Sequence, residues 1–238
     1  MNGKRLRANF DGANFKNATL TGGDSSGAKF MNANLSGANL SGRNFSGATF
    51  SGAIYDTNTT WPNGFDPVAA GAILNHSPTD LNTTSVFSIN ENQPIGTVIG
   101  EFNATDPDAN SSISYNFVNG ENNNSFFTLN PNGTLKTATT FDYETNASTY
   151  TITVQAKDEL NATTEGNFSI SLLNVIEDFD QDGIEDYYDP DDDNDGFSDT
   201  EEIAYGSDPR DGNSTANAPP QITLGSTFPD QLDANGVF

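Results

Sequence analysis

The sequence contains no cysteine, and its 238 residues include only one histidine and one tryptophan. The absence of cysteine excludes a disulfide framework, a thiolate nucleophile and a zinc site built on thiolates. The single histidine, His76, lies in a polar loop, where we expect a solvated or hydrogen-bonded side chain rather than a catalytic one. Because no histidine stands beside a nucleophile and no phosphate-binding loop is present, we expect the protein not to be an enzyme.

Basic residues are also scarce: nine Lys and Arg stand against 33 Asp and Glu, which gives a net charge of −24. Residues 1–60 hold six basic and three acidic side chains, so the remainder of the chain carries −27. Such an acidic surface argues against nucleic-acid binding, which needs basic side chains to meet phosphates.

Long apolar runs are missing as well. The sequence has no run of about 18 apolar residues that could span a membrane. Its first residues lack the apolar core of a signal peptide. If the protein is exported, its signal is absent, unconventional or upstream. We expect the sequence to be a fragment of a longer chain.

What the sequence does have is an acidic segment, residues 177–202, with fourteen carboxylates and no basic side chain. It contains the pattern D-x-D-x-D-G twice, beginning at Asp178 and at Asp191. Calcium needs six to eight oxygens, and alternate side chains on a tight loop with glycine at position 6 supply them. A solvated acidic linker is the alternative, since blocks of like charge are usually disordered. Two complete patterns, each with an apolar residue after the glycine, favour calcium loops.

The candidate ligands are the carboxylates at loop positions 1, 3, 5, 9 and 12. In the first loop these are Asp178, Asp180, Asp182, Asp186 and Asp189, and in the second loop Asp191, Asp193, Asp195, Asp199 and Glu202. Ile184 and Phe197 offer backbone carbonyls at position 7. Asp189 is shorter than the glutamate usual at position 12, so we expect the first loop to be the weaker site.

The two loops abut, and the segment that follows reads E-E-x-x-x-Y-G-x-D-P from Glu201 to Pro209. Paired EF-hands and dockerin modules separate their loops by a helix, whereas this arrangement resembles the thrombospondin type 3 repeats of bacterial surface proteins. The resemblance covers about thirty residues. It implies loops with little apolar core that are organised by bound calcium.

Residues 8–57 repeat every five positions. Large residues recur in one register, and alanine occupies eight of the ten positions that lie two residues earlier. This resembles the pentapeptide repeat family, which implies a right-handed quadrilateral β-helix with four repeats per coil. Gly23 and Ser25 break the pattern, so we expect a local distortion in the fourth repeat. Trp61 and Phe65 are expected to cover the last coil, with a sugar-stacking platform as the alternative for Trp61.

Short alternating segments after residue 83 predict a seven-stranded Greek-key β-sandwich. The predicted strands are 85–89, 96–104, 113–118, 126–129, 134–137, 150–156 and 168–175. The predicted inward-facing residues are Val98, Phe102 and Ala104 on one strand, Tyr150, Ile152, Val154 and Ala156 on another, and Phe168, Ile170 and Leu172 on a third.

Acidic motifs at the strand ends of this sandwich resemble, in order and spacing, those of cadherin repeats. The resemblance implies a lower calcium cluster of Glu91, Asp142, Glu144 and Asp178, and an upper cluster of Asp106, Asp108 and Asp158. Acids that merely cap turns are the alternative. The preceding linker has only Asp66 and Asp80, so we expect the upper cluster to be weak or empty. Asp178 also opens the first acidic loop, so either site can claim it.

The predicted fold class is therefore all-β and multidomain. The predicted parts are a β-helix at 1–65, a linker at 66–80, a cadherin-like sandwich at 81–177, calcium loops at 178–210, and at 211–238 a linker with the start of a truncated β module.

We expect calcium as the cofactor and a calcium-rigidified part of a cell-surface or secreted adhesin as the function. The partner would be a protein or a cell surface, with homophilic adhesion as one form, and the location would be extracellular or at the cell surface. The alternative is a set of non-catalytic spacers in a secreted enzyme that degrades polysaccharide or protein, and a catalytic or anchor domain elsewhere in the reading frame would decide. A pentapeptide protein acting on a nucleic-acid enzyme is disfavoured by the basic balance of residues 1–60.

Overall fold

The computed structural model describes residues 7–120 and 122–214. It is mostly β-structure, and the chain divides into two compact units, one up to Asn174 and one from Val175 onward. The predicted truncated β module lies outside the described residues. None of the helical segments in the described part of the chain has the length and apolar character needed to cross a bilayer.

The N-terminal repeats are joined by parallel bridges between residues twenty positions apart, such as Asn9 with Lys29 and Lys29 with Thr49. Four five-residue repeats therefore make one coil. The large residues stack between coils: the ring of Phe30 lies 4.9 Å from the ring of Phe10 and 4.9 Å from that of Phe50. Alanine and the large residues alternate in this interior because each coil buries its face only against the next.

The fourth repeat is distorted, as the sequence predicted. Gly23 has a positive φ of 79° at a position where the regular repeats place alanine. The buried residue at the large position is Ser25, and the guanidinium of Arg43 fills the space beside it: Nε donates to Ser25 Oγ at 2.7 Å. Nη1 of Arg43 donates to the carbonyls of Leu20 and Gly22, each at 3.1 Å. Arg43, which stands where most repeats have alanine, thus compensates for the small Ser25 at a position that usually holds a large residue.

The last coil is closed by aromatic residues and extended by a short strand pair. Trp61 stacks on Phe65 with ring centroids 5.0 Å apart and meets Tyr55 edge to face at 5.4 Å. Strand β1 (Ile54–Tyr55) pairs in parallel with β2 (Ile73–Leu74). Part of the segment predicted to be a linker therefore continues the hydrogen-bonded ladder of the coils.

Two four-stranded sheets form the sandwich. The strands are β3 (Thr79–Thr83), β4 (Phe87–Asn90), β5 (Val98–Thr105), β6 (Ser114–Phe117), β7 (Phe127–Leu129), β8 (Thr134–Thr137), β9 (Thr149–Lys157) and β10 (Thr163–Leu173). One sheet has the order β4-β10-β9-β6 and the other β3-β5-β8-β7. Only β4 and β10 pair in parallel within these sheets.

The described sandwich has eight strands where seven were predicted. The additional strand is β3, which begins in the last two residues assigned to the linker, Thr79 and Asp80, and pairs with β5. The chain then crosses from one sheet to the other, and β4 pairs with β10. The first two strands of the sandwich therefore lie at the edges of different sheets, β3 in one and β4 in the other.

The sandwich core contains most of the predicted inward residues. Tyr150, Ile152, Val154 and Ala156 are buried along β9, and Phe102 is buried on β5. The prediction for Val98 was wrong, because this side chain is 55% exposed. The register of β5 against β8 shifts between Val98 and Gly100, and such an irregularity interrupts the alternation of inward and outward side chains.

In the second unit the described chain consists of turns and one short helix, α1 (Asp199–Tyr205). A capping box between Ser198 and Glu201 begins the helix, and Gly206 ends it with φ of 79°. The one buried residue of this helix is Glu202. Large apolar side chains stay at the surface: Ile184, Tyr187, Tyr188 and Ile203 are between 44% and 70% exposed.

Candidate metal sites

Three groups of carboxylates in the described residues bring one oxygen from each member within 4.8 Å of the others. The groups are Glu91, Asp142 and Glu144 in the first unit, and Asp178, Asp180 and Asp182, then Asp191, Asp193 and Asp195, in the second. Each of these acids was a predicted ligand. Their close approach costs Coulomb energy unless a cation lies among them.

The second loop is built by its own backbone. The amide of Gly196 donates to Asp191 Oδ2 at 3.1 Å, that of Asp195 to Asp193 Oδ1 at 3.1 Å, and that of Phe197 to Asp195 Oδ1 at 2.9 Å. Gly196 has φ of 95°, a conformation that glycine adopts without strain. The loop therefore curls so that one oxygen of each aspartate is held by backbone and the other is left for a ligand.

Several carboxylate oxygens of the second loop are buried without a hydrogen-bond partner. They are Oδ1 of Asp191, Oδ2 of Asp193 and both carboxylate oxygens of Glu202. Burial raises the pKa of Glu202 and of Asp193 above their ordinary values, and neighbouring carboxylates add to both shifts. A buried carboxylate without a partner is costly, and a bound cation removes that cost.

The first loop repeats this design with less burial. Gly183 donates to Asp178 Oδ2 at 3.1 Å, Asp182 to Asp180 Oδ1 at 2.9 Å, and Ile184 to Asp182 Oδ1 at 2.8 Å. Its one buried oxygen without a partner is Oδ1 of Asp178. The side-chain Nδ2 of Asn194, in the second loop, donates to Asp180. Asp178 groups with the first loop, one of the two sites that the sequence allowed.

The acids at positions 9 and 12 are placed less uniformly. Asp186 accepts from the amide of Phe179 at 2.7 Å, and Asp199 accepts from the amide of Asp192 at 2.9 Å. These position 9 acids therefore close the start of their own loops. At position 12, Asp189 accepts from the amide of Asp191 at 3.0 Å, which ties the end of the first loop to the start of the second.

An arginine that the sequence reasoning did not single out lies between the loops. Nη2 of Arg210 is 2.9 Å from Asp186 and 3.9 Å from Glu177, and its Nε donates to Asp192 at 3.3 Å. Burial nevertheless raises the pKa of Asp192 to about 6, against the lowering effect of Arg210. Arg210 is the only basic residue after Lys157 in the sequence, and this scarcity was the signal that could have identified it.

In the sandwich, three of the four acids predicted for the lower cluster lie close together, while the fourth, Asp178, groups with the first loop. Glu91 follows β4, is 1% exposed and accepts a hydrogen bond from the amide of Tyr143. Asp142 Oδ1 accepts from the amide of Glu144 at 3.1 Å. The side chain of Asn174 donates to Glu144 at 3.2 Å. Turns after β4 and before β9 thus bring three carboxylates together.

The three predicted upper ligands are not among the close groups of carboxylates in the described chain. Asp158 accepts from the side chain of Asn75 at 2.8 Å, and Asp108 accepts from the backbone and the ring of His76, each at 2.8 Å. Asp106 Oδ1 accepts from the amide of Asp108 at 2.8 Å. Burial acts to raise the pKa of Asp108, but the hydrogen bonds from His76 outweigh it and hold the pKa below its ordinary value.

The second loop fits a calcium ion by its chemistry. Its donors are all carboxylate oxygens, several buried and unpaired, and hard oxygen donors are those that calcium prefers. Asp191, Asp193, Asp195 and Glu202 would hold it. The ion would supply positive charge that balances the acids of the loop.

Family comparisons agree with this geometry. Residues 8–47 match the model for pentapeptide repeats in eight copies, residues 85–175 match the cadherin domain, and residues 191–212 match the bacterial TSP3 repeat. Cadherin domains and TSP3 repeats generally bind calcium, and both segments contain a carboxylate cluster. Domains and repeats of these kinds are typically non-catalytic.

Individual relatives share only the cadherin-like part. The chain is 32% identical over 85 residues to the protocadherin-like wing polarity protein stan of Drosophila melanogaster, which is 33% of this chain and 2% of that protein. It is 28% identical to the protocadherin GammaB4 extracellular domain, covering 43% of this chain and 17% of that one, with a TM-score of 0.34. It is 25% identical to protocadherin Gamma B7 extracellular cadherin domains 1–4, covering 44% of this chain and 27% of that one, with a TM-score of 0.34.

The chain therefore spans a small part of the relatives it matches. What the matches establish is its composition: this is a chain of pentapeptide repeats, a cadherin domain and a bacterial TSP3 repeat.

Proposed function

We propose that this chain is a calcium-binding, calcium-rigidified part of an extracellular adhesin. The observation that carries the proposal is the second acidic loop, where Asp191, Asp193 and Glu202 bury carboxylate oxygens that have no partner. A fold that buries such oxygens is stable at neutral pH only with a cation among them. Calcium at the first loop and at the lower cluster of Glu91, Asp142 and Glu144 would act in the same way.

The affinity expected for such sites fits an extracellular location. Extracellular calcium modules typically bind with dissociation constants of ~10⁻⁴–10⁻³ M, which matches millimolar calcium outside cells. The cadherin match, over residues 85–175, supports an adhesive role with a protein partner. Within this proposal, adhesion between identical chains is the form that the protocadherin relatives suggest.

The repeat region contributes a rigid spacer in this proposal. Parallel bridges between residues twenty positions apart support a right-handed, four-sided β-helix, as in the pentapeptide family. Its surface is not strongly acidic, since residues 1–60 carry more basic than acidic side chains. A scaffold that sets the position of the sandwich is the role consistent with these features.

The test is a calcium titration by calorimetry on the whole chain. Asp193→Ala should bind one ion fewer than the wild type while the sandwich stays folded, because Asp193 is a candidate ligand in the second loop alone. Glu201→Gln is the matched control: Glu201 is exposed, accepts from the amide of Ser198 and should leave the stoichiometry unchanged. Full stoichiometry in Asp193→Ala would reject the ligand assignment, and no calcium uptake by the wild type would reject the function.

A further inference from the structure

The end of the repeat region is hydrogen-bonded directly to the acids of the predicted upper cluster. Asn75 follows β2, and its amide donates to the carbonyl of Tyr55 at 2.8 Å, so its backbone belongs to the ladder of the last coil. Its side-chain Nδ2 donates to Asp158 Oδ2 at 2.8 Å. Asn75 is 4% exposed and Asp158 is 3% exposed. A buried hydrogen bond to a charged acceptor is among the stronger ones in proteins.

His76 makes the second connection. Its backbone amide donates to Asp108 Oδ2, and its Nδ1 lies 2.8 Å from Asp108 Oδ1. A carboxylate only accepts, so the proton of the imidazole lies on Nδ1. Both oxygens of Asp108 are thus occupied by one residue of the chain that precedes the sandwich.

The remaining oxygens of the cluster are also largely occupied. Asp158 Oδ1 accepts from the amide of Ala162 at 2.8 Å, and Asp106 Oδ1 accepts from the amide of Asp108 at 2.8 Å. Among the three acids, Oδ2 of Asp106 is the buried oxygen without a partner. A calcium ion needs about six oxygens, whereas here N–H groups point at the carboxylates. The donor set does not fit the ion.

We propose that the joint between the repeat region and the sandwich is held by these direct hydrogen bonds and is independent of calcium. Asn75 and His76 supply N–H groups where a calcium-dependent joint requires oxygen ligands. The repeat region is then fixed to the sandwich at any calcium concentration, and calcium acts at the other carboxylate clusters. This inference goes beyond the proposed function and does not depend on it.

The test is hydrogen exchange of the whole chain, with calcium and with chelator. The backbone amide of His76, which donates to Asp108 across the joint, should keep its protection, within about twofold, when calcium is removed, because its partner is a protein group. A loss of protection of about tenfold or more on chelation would overturn the proposal.

Two variants sharpen this test. Asn75→Asp replaces the donor by a carboxylate against buried Asp158, so protection of the joint should fall in chelator and return with calcium. Asn75→Ala is the control and should lose protection equally in both conditions. If Asn75→Asp keeps wild-type protection in chelator, the hydrogen bond from Asn75 does not hold the joint.

The same samples separate this inference from the proposed function. The amide of Gly196 reports on the second acidic loop. If the exchange rate of this amide is the same with calcium and with chelator while the joint stays protected, the proposed function fails and the calcium-independent joint stands. If the amides of both the loop and the joint lose protection in chelator, the proposed function stands and the calcium-independent joint fails.

Discussion

Glu202 shows how a single residue links the sequence to the site. Position 12 of the loop pattern placed it among the ligands, and a capping box at Ser198 begins the helix that carries it. The structure buries it to 1% exposure with both carboxylate oxygens unpaired. A buried, unpaired carboxylate, with little apolar burial in the described part of this unit, is the kind of group that the proposed calcium ion would neutralise.

Calcium binding at the second loop should weaken as the pH falls. Burial raises the pKa of Asp193 and Glu202 above their ordinary values, and raises that of Asp192 to about 6. Raised values mean that the folded, calcium-free loop binds protons more tightly than the unfolded chain. It is relatively stable below pH 3.8 and loses that stability as the pH rises to about 6. Calcium must displace the protons of Asp193 and Glu202, so its affinity should rise as the pH rises.

Calorimetric titrations at several pH values check this expectation. The affinity at about pH 5 should be lower than that at about pH 7.5, because protons compete with calcium for the carboxylates of Asp193 and Glu202. Proton release should accompany binding at the lower pH and disappear at the higher one. An affinity that does not vary over this range would show that these carboxyl groups do not meet the ion.

The sequence predicted the carboxylates of the three clusters but not the residues that balance or redirect them. Loop positions 1, 3 and 5 follow from a fixed spacing, so those aspartates were found directly. The pairing of Arg210 with Asp186 and Asp192 joins residues far apart in the chain, and no local pattern encodes it. Asn75 and His76 were missed for a related reason: their partners follow distant strands of the sandwich.

At the scale of elements, Arg43 is the clearest case of compensation within the repeats. It stands at a position that is usually alanine, and its guanidinium donates to Ser25, which stands at a position that is usually Leu or Phe. The five-residue period showed both exceptions but not that they meet, because they lie in successive coils. Coil stacking brings them together.

Arg43→Ala should destabilise the repeat region by about 1–3 kcal/mol, since it leaves buried Ser25 and two carbonyls without their donor. Adding Ser25→Leu to this variant should recover most of the loss, because it restores the regular pattern of large and small residues. Denaturant unfolding followed by the fluorescence of Trp61, the only tryptophan, measures both changes. Lys16→Ala, at an exposed position, is the control. Equal stability of Arg43→Ala and the wild type would contradict this account.

The strands illustrate which parts of an element a sequence pattern can define. Alternation along β9 correctly gave Tyr150, Ile152, Val154 and Ala156 as core residues. Alternation failed on β5 at Val98, where a register irregularity interrupts the period. Strand β3 was missed because its residues, Thr79–Thr83, include only one large apolar side chain. Alternation of apolar and polar residues therefore predicts the regular parts of strands, but it does not predict where the register becomes irregular.

At the scale of the whole molecule, the two units are stabilised in different ways. The unit up to Asn174 contains two apolar cores, one in the repeats and one in the sandwich. The buried residues in the described part of the second unit, up to residue 214, are in contrast all acids: Asp186, Asp192 and Glu202. Apolar burial stabilises the first unit, whereas the proposed function makes the stability of the acidic loops depend on bound cations. Calcium should therefore control the second unit far more than the first.

Hydrogen exchange of the acidic loops tests this central claim most directly. The amides of Gly183 and Gly196 donate to Asp178 and Asp191, the first residues of their loops. With millimolar calcium these amides should be protected, and with chelator they should exchange at least about tenfold faster, while the buried amides of β9 remain unchanged. Equal protection of the two glycine amides with calcium and with chelator would contradict the claim that calcium organises this part of the chain.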